Sequence, residues 1–137
     1  MARLGLKEAF ARYGATLRNV QWSVSAWAPD GSLVLSLWAH HYRKGPGGSA
    51  EYFGSASRWS GPGNKEFREN LARALKDKSR IRLVISSTEH TDHVDSGGDA
   101  SKVKKDFHVR EDLVGQVVDY DGDSYVIRFG LVAGGEK

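Results

Sequence analysis

The sequence contains no cysteine and few prolines, 3 in 137 residues. Without cysteine the chain can form neither a disulfide framework nor a thiolate metal site, and nothing in it requires an oxidising compartment. No stretch approaches the roughly 20 apolar residues of a membrane span, and the N-terminus, with charges spaced through it, has no apolar signal-peptide core. We therefore expect a cytoplasmic protein that is neither secreted nor inserted into a membrane.

The composition is that of an ordinary globular domain. Hydrophobic residues make up 39% of the chain and charged residues 27%, which predicts one autonomously folding domain over residues 1–137, with residues 131–137 as a frayed tail. Lysine and arginine number 20 against 17 aspartates and glutamates, a net charge of +3. This small excess permits a polyanionic partner without requiring one.

Apolar periodicity divides the chain into helices and strands. Leu6, Phe10 and Tyr13 recur at helical spacing before Gly14, which is typical of a helix with a glycine cap. Alternating apolar residues on both sides of a turn predict one hairpin at Pro29-Asp30-Gly31 and another at Asp121-Gly122. The other predicted elements are a strand over residues 51–58, a helix from about Lys65 to Lys76 with Asn64 as N-cap, a buried strand over 80–85 and a long loop over 87–106. The fold class that follows is α+β, a mostly antiparallel sheet of about six strands with two helices.

The sequence offers no arrangement typical of a covalent or nucleotide-hydrolysing enzyme. There is no cysteine and no G-x-S-x-G, and the stretch from Gly61 to Lys65 lacks the full spacing of a phosphate-binding loop. We predict that the protein is not an enzyme, that it has no catalytic residue and that it holds no metal or cofactor.

Histidines are the feature that favours the opposite interpretation. The chain contains the pair His40-His41 and the cluster His90-Thr91-Asp92-His93, and imidazole and carboxylate are common ligands of transition metals. On a strand, however, neighbouring side chains point to opposite faces, so at most one of His40 and His41 could serve a given site. A metal-dependent nuclease that uses histidine and carboxylate clusters stays open as an alternative, and so does a protein-interaction module.

Basic and aromatic residues interleave along two segments of the chain. The first segment carries Trp38, His40, Tyr42, Arg43 and Lys44, and the second carries Tyr52, Arg58, Trp59 and Lys65. Lysine and arginine neutralise phosphates, while aromatic rings stack on bases. Free N–H groups at the start of the helix after Gly63 and a run of lysines at 102, 104 and 105 would add phosphate contacts. This pattern favours nucleic-acid binding, although a core role is as good an explanation for any single tryptophan, and a solvated loop is the better one for the lysine run.

One stretch carries a resemblance. This stretch starts at Arg58 with Trp-Ser-Gly-Pro-Gly-Asn-Lys-Glu-Phe, continues through a predicted helix and ends with a strand at Val84-Ile85-Ser86-Ser87. It resembles the N-terminal recognition domain of McrA-type modification-dependent restriction enzymes. In that family a strand ends in Trp-Gly-Pro-Gly and a helix opens with Asn-Lys, an acid and an aromatic residue. Here Ser60 is inserted after the tryptophan, and the cysteine-bound zinc of the family's HNH nuclease has no counterpart in a cysteine-free chain.

The resemblance implies a stand-alone, nucleoid-associated reader of double-stranded DNA, selective for 5-methylcytosine or 5-hydroxymethylcytosine, that binds without cutting. A nuclease partner encoded separately would then complete a restriction system, and an interaction subunit of such a system is the related alternative. The predicted contact surface consists of Arg58, Trp59, Gly61, Gly63, Asn64 and Lys65. Arg43, Lys44, Lys102, Lys104 and Lys105 would hold the DNA backbone, and Tyr52, Trp38 or Trp59 would sense the base. Readout in the major groove and flipping of the base into a pocket both stay open.

Overall fold

The computed structural model describes residues 5–19, 23–58, 61–95 and 105–131. The helices in these ranges are α1 (Leu6–Ala11), α2 (Pro62–Asp77) and the one-turn α3 (Thr91–Asp95), and the strands are β1 (Ser25–Trp27), β2 (Leu33–Trp38), β3 (Tyr42–Lys44), β4 (Ala50–Ser55), β5 (Ile81–Ser87), β6 (Asp106–Val109), β7 (Leu113–Tyr120) and β8 (Ser124–Leu131). Short 3₁₀ turns cover Ala39–His41, Pro46–Gly48 and Ala56–Arg58. The predicted α+β class is confirmed.

The strands form one mostly antiparallel sheet in the order β1-β2-β5-β7-β8-β4-β3, with β6 paired to β5. Only β2 and β5 run parallel among the described pairs, because the chain between them crosses over through β3, β4 and α2. Strand β5 meets β7 at a single pair, Ile81 and Gly115, while its far half from Val84 to Ser87 pairs with β6. The sheet therefore opens between β5 and β7 beyond Ile81.

Helices cover both faces of the sheet. Phe67, Leu71 and Ala74 form the apolar stripe of α2 and belong to the larger core cluster with the strands on one face. On the other face, Phe10 of α1 belongs to a smaller cluster that includes Val34 of β2. Burial on both faces explains why β2 contains an unbroken buried run instead of a strict alternation.

Both predicted hairpins and both predicted helices are present, with shifted boundaries at α2. This helix starts at Pro62, and the N-cap is Gly61 with φ of 108°, so the prediction that Asn64 caps the helix is wrong. Proline suits the first helical position because its missing N–H has no partner to lose there. The fixed φ of Pro62 thus starts the helix three residues before the expected point.

The polar segment predicted as a loop over 87–106 contains structure at both ends. Strand β5 extends to Ser87, α3 follows at Thr91–Asp95, and β6 starts at Asp106. The short β3 and β6 have no clear alternation in the sequence, because each is held by pairing with a neighbouring strand rather than by burial of one face. No helix in the described part of the chain is long and apolar enough to span a membrane.

Candidate functional site

An open cleft of about 500 Å³ lies where the two halves of the sheet separate. Its lining comes from β3, β4, β5, β7 and β8 and from the turns beside them: Ala39, Tyr42, Gly48, Ser49, Ala50, Tyr52, Ile85, Arg110, Leu113, Phe129, Gly130 and Leu131. The volume is within the range of about 300–1,000 Å³ that is common for small-molecule sites. Because β6 occupies the far half of β5, strand β7 cannot continue its pairing there, and the gap becomes the cleft.

Three aromatic rings form one wall of the cleft. The ring of Tyr42 lies 5.7 Å from that of Tyr52, which in turn meets the ring of Phe129 edge-on at 5.9 Å. Tyr42 is 48% exposed at the mouth, whereas Tyr52 is 6% exposed and Phe129 is fully buried. Burial raises the pKa of Tyr52, although the charge of Arg110 partly opposes the rise. The Tyr52 phenol is therefore neutral at physiological pH, and the ring available for stacking is that of Tyr42.

An ion-paired arginine lines the same cleft. The guanidinium of Arg110 donates to Asp112 from Nε at 2.9 Å and from a terminal nitrogen at 2.8 Å, and these hydrogen bonds raise the pKa of Arg110 and lower that of Asp112. A guanidinium has five N–H donors, so this pair leaves donors for a ligand. Lys44 adds a second cation nearby, since it is exposed and pairs with Ala50, a lining residue.

Arg43 lies on the other face of β3, because side chains alternate along a strand. Its Nε donates to Glu51 at 2.9 Å, and Arg128 donates to the other carboxylate oxygen of Glu51 at 2.8 Å. Hydrogen bonds from Arg128 and then Arg43 lower the pKa of Glu51. The Arg43 guanidinium also covers the ring of Phe53 at 4.9 Å. The predicted phosphate contact Arg43 is thus half-exposed and tied to its neighbours on the face opposite to the cleft.

A second group of predicted contact residues, Gly61, Gly63, Asn64 and Lys65, lies beyond the far end of β4. The cleft is at the Ala50 end of this strand, whereas the turn ending at Arg58 and the start of α2 follow its Ser55 end. Five residue steps lead from Ala50 to Ser55, about 17 Å at 3.3 Å per residue. Gly61 and Lys65 are exposed there. The structure therefore does not bring all predicted residues together but places them in two groups.

Two further members of that second group are buried. Gly63 and Asn64 lie within α2, and Asn64 is 6% exposed with its Nδ2 donating to the Ala56 carbonyl at 2.6 Å. The N–H groups of Asn64 and Lys65 both donate to the carbonyl of Gly61 at 3.1 Å, and Pro62 has no N–H. The expected set of free N–H groups at this helix start is thus largely used by the helix itself.

The remaining predicted contact residues are Arg58, Trp59 and the lysine run. Trp59, Lys102 and Lys104 lie outside the described residues, as does the side chain of Arg58. Lys105 directly precedes β6 and is partly buried. The predicted roles of these residues stay predictions.

Asn64→Ala is expected to lower the free energy of unfolding by about 1–3 kcal/mol, because it leaves the buried Ala56 carbonyl without its donor. Chemical denaturation monitored by tryptophan fluorescence measures this change. Lys65→Ala is the matched control, since Lys65 is the exposed neighbour in the same turn and should change stability by less than about 0.5 kcal/mol. Equal stability of the two variants would show that the Asn64 hydrogen bond is not structural.

The predicted base sensor Trp38 ends β2 and lies beside histidines rather than in the cleft. Its ring is 6.0 Å from that of His40. The expectation that His40 and His41 face opposite sides of a strand is wrong, because residues 39–41 form a 3₁₀ turn, and both Nε2 atoms contact one oxygen of Asp95. A turn of this kind rotates each residue by about 120° instead of 180°, so neighbouring side chains can converge.

The roles of Tyr42 and Arg110 in lining the cleft were not predicted from the sequence. Tyr42 was noted only as part of the interleaved pattern, and Arg110 was not noted at all; nothing in the sequence indicates that the β6–β7 turn reaches β3. Comparison with protein-family models, curated proteins and solved structures found no match to this chain.

Proposed function

We propose that the protein binds double-stranded DNA and reads a modified cytosine, 5-methylcytosine or 5-hydroxymethylcytosine, without cleaving the strand. The base would leave the duplex and enter the cleft between β5 and β8. The observation that carries this proposal is the aromatic wall of the cleft, in which Tyr42 offers an exposed ring above the buried Tyr52.

The chemistry of the cleft suits a flipped base. Flipping a base costs a few kcal/mol of unstacking, and stacking on one aromatic ring returns about 1–3 kcal/mol. The apolar side chains of Ile85 and Leu131, which are not fully buried, line the same cleft. They can contact a C5 methyl group as proteins contact the methyl group of thymine.

The charges near the cleft suit the DNA backbone. Arg110 retains donors beyond its bonds to Asp112, and Lys44 is exposed at the edge strand. The exposed Gly61 and Lys65 follow the Ser55 end of β4, and this strand is about 17 Å long from its Ala50 end, which matches about five base steps at 3.4 Å each. One duplex could therefore meet both groups, with the predicted contacts from Arg58 and Trp59 made away from the flipped base.

The choice of modified cytosine rests on the resemblance of residues 58–87 to the McrA-type recognition domain. The same resemblance implies a nucleoid location, a role in restriction and a nuclease partner encoded separately. Lys102, Lys104 and Lys105 would contact phosphates uniformly, without reading sequence.

Fluorescence anisotropy with matched duplexes tests the proposal. The duplexes carry one cytosine, 5-methylcytosine or 5-hydroxymethylcytosine, and each is titrated at two salt concentrations to separate backbone from base contributions. A 2-aminopurine next to the target base reports unstacking through its fluorescence. We expect tighter binding to one modified duplex and a fluorescence rise on that duplex.

Tyr42→Ala is expected to weaken binding to the preferred duplex by about 5- to 150-fold, since it removes a stacking platform worth about 1–3 kcal/mol. Tyr42→Phe is the control, because it keeps the ring and removes only the hydroxyl group. The same anisotropy titration measures both variants. If Tyr42→Ala binds as the unaltered protein does, the base does not stack on Tyr42.

Other outcomes would replace the proposal. Equal affinity for all three duplexes would leave a binder without selectivity for modification. Absence of binding at low salt would favour a protein-interaction module, and strand cleavage in the presence of Mg²⁺ or Mn²⁺ would favour a nuclease.

A further inference from the structure

Three potential metal ligands converge at the turn between β2 and β3. His40 and His41 lie in the 3₁₀ turn between β2 and β3, and Asp95 is the last residue of α3. The Nε2 of His40 is 2.9 Å and the Nε2 of His41 is 2.8 Å from the same Oδ1 of Asp95. The ligand atoms of all three side chains lie within 4.8 Å of one another, so residues more than 50 positions apart in the chain meet at one point.

The site is built on fixed elements. Strand β2 ends at Trp38 and β3 starts at Tyr42, so paired strands hold both ends of the histidine turn. The ring of Trp38 lies 6.0 Å from His40, and the ring of Phe53 lies 6.5 Å from His41. Such backing by strands and rings limits the rotamers of the two histidines, which favours a preformed ligand geometry.

Access to the site is from the side of Asp95. The side chains of His40 and His41 are 23% and 13% exposed, whereas that of Asp95 is 49% exposed. Phe53 is on the face of β4 opposite to Tyr52, so this site and the aromatic wall of the cleft use different faces of the same strand. The two sites can therefore be tested separately.

The hydrogen bonds among the three side chains are compatible with exchange for a cation. A carboxylate can only accept, so the Nε2 atoms of both rings donate to Asp95. A bound metal would replace both hydrogen bonds, and each ring would then ligate through Nε2 with its proton on Nδ1.

We propose that His40, His41 and Asp95 form a three-ligand site for a divalent transition metal of the Zn²⁺ type, with a fourth position open to solvent. Two imidazoles and one carboxylate are the donor set that such ions prefer, whereas Mg²⁺ and Ca²⁺ prefer oxygen ligands alone. Three protein ligands with an open position also characterise zinc sites that bind a water or a substrate.

The present distances are close to those of a filled site. Zinc ligands at about 2.0–2.1 Å in a tetrahedron lie about 3.3 Å from each other. The two nitrogen–oxygen distances here are 2.9 and 2.8 Å, so each needs to widen by about 0.5 Å, which small side-chain rotations can supply. The third pair, the two histidine nitrogens, lies within 4.8 Å.

Titration calorimetry with Zn²⁺ tests the site, on untagged protein that has been treated with EDTA and dialysed. We expect saturable binding of about one ion per chain, and with Co²⁺ a visible absorption band typical of tetrahedral nitrogen and oxygen ligation. His41→Ala should weaken Zn²⁺ binding by more than about a hundredfold, because even the loss of an outer-shell partner costs about 10- to 100-fold. His108→Ala is the control, since this exposed histidine on β6 is not one of the three proposed ligands.

Asp95→Asn separates a metal site from a purely structural hydrogen-bond cluster. The asparagine oxygen can still accept from the histidines, so the fold should persist by circular dichroism, while the loss of the charged ligand weakens Zn²⁺ binding by more than about tenfold. Unchanged Zn²⁺ affinity in both Asp95→Asn and His41→Ala would overturn the proposal. So would the absence of saturable binding by the unaltered protein.

Discussion

Ala50→Trp is expected to abolish the preference for modified DNA while leaving general DNA binding intact. Ala50 lies on the cleft side of β4, between its register partners Lys44 and Phe129. An indole at this position projects into the cleft in front of the aromatic wall and occupies the space that the proposal assigns to a base. One well-read base is worth about 1–3 kcal/mol, so about 5- to 150-fold of selectivity should disappear.

The control for this variant is Val118→Trp, which adds the same side chain to β7 at a position that is 41% exposed and does not line the cleft. Anisotropy titrations with modified and unmodified duplexes compare the two variants at equal salt. Leu131→Trp provides a second way to block the cleft, because Leu131 lines the mouth and is 72% exposed, so a larger side chain causes little strain. Full selectivity in both blocked variants would show that the base does not enter the cleft.

Gly115→Ala is expected to destabilise the protein by about 1–3 kcal/mol or more. A Cβ atom at this position would lie 2.6 Å from the carbonyl oxygen of Arg128 and 2.6 Å from the ring of Phe129. Neither neighbour can move freely, since the first is backbone in a paired strand and the second is fully buried. Gly115 is also the β7 residue that pairs with Ile81 of β5 and so joins the two halves of the sheet. The steric strain from the added Cβ atom would therefore act at the edge of the cleft.

Gly130→Ala is the matched control, because Gly130 lies on the paired strand β8 and a Cβ there meets nothing within 4 Å. It should be neutral or more stable by up to about 1 kcal/mol, as the substitution restricts the unfolded chain. Urea denaturation of both variants gives the comparison. Equal stability would mean that the close approach of β7, β8 and Phe129 is not maintained in solution.

Local patterns in the sequence were sufficient for most elements of the fold. Both hairpins carry turn residues that favour a tight reversal, and both predicted helices carry an apolar stripe, so each element is specified within a few neighbouring residues. Boundaries were less certain, as the start of α2 shows: the fixed φ of Pro62 outweighed the capping preference of Asn64.

The candidate sites depended on contacts that no local pattern records. The sequence suggested that basic and aromatic residues belong together, but alternation along β3 sends Arg43 to one face and Tyr42 to the other. Tyr52 was expected to sense a base, and the structure places it in the core with its ring 5.7 Å from that of Tyr42. Whether a residue on a strand faces a cleft or the opposite surface depends on register with strands far away in the chain.

The sequence by itself determined the α+β class, the lack of any disulfide or thiolate site, and the order of the main helices and hairpins, because these follow from composition and short-range periodicity. Only the tertiary structure decided that β6 takes the far half of β5 and opens a cleft beside β7, and that a 3₁₀ turn directs His40 and His41 to Asp95. The physical reason is that pairing and packing between distant segments select these arrangements, and their energies are not encoded in neighbouring residues.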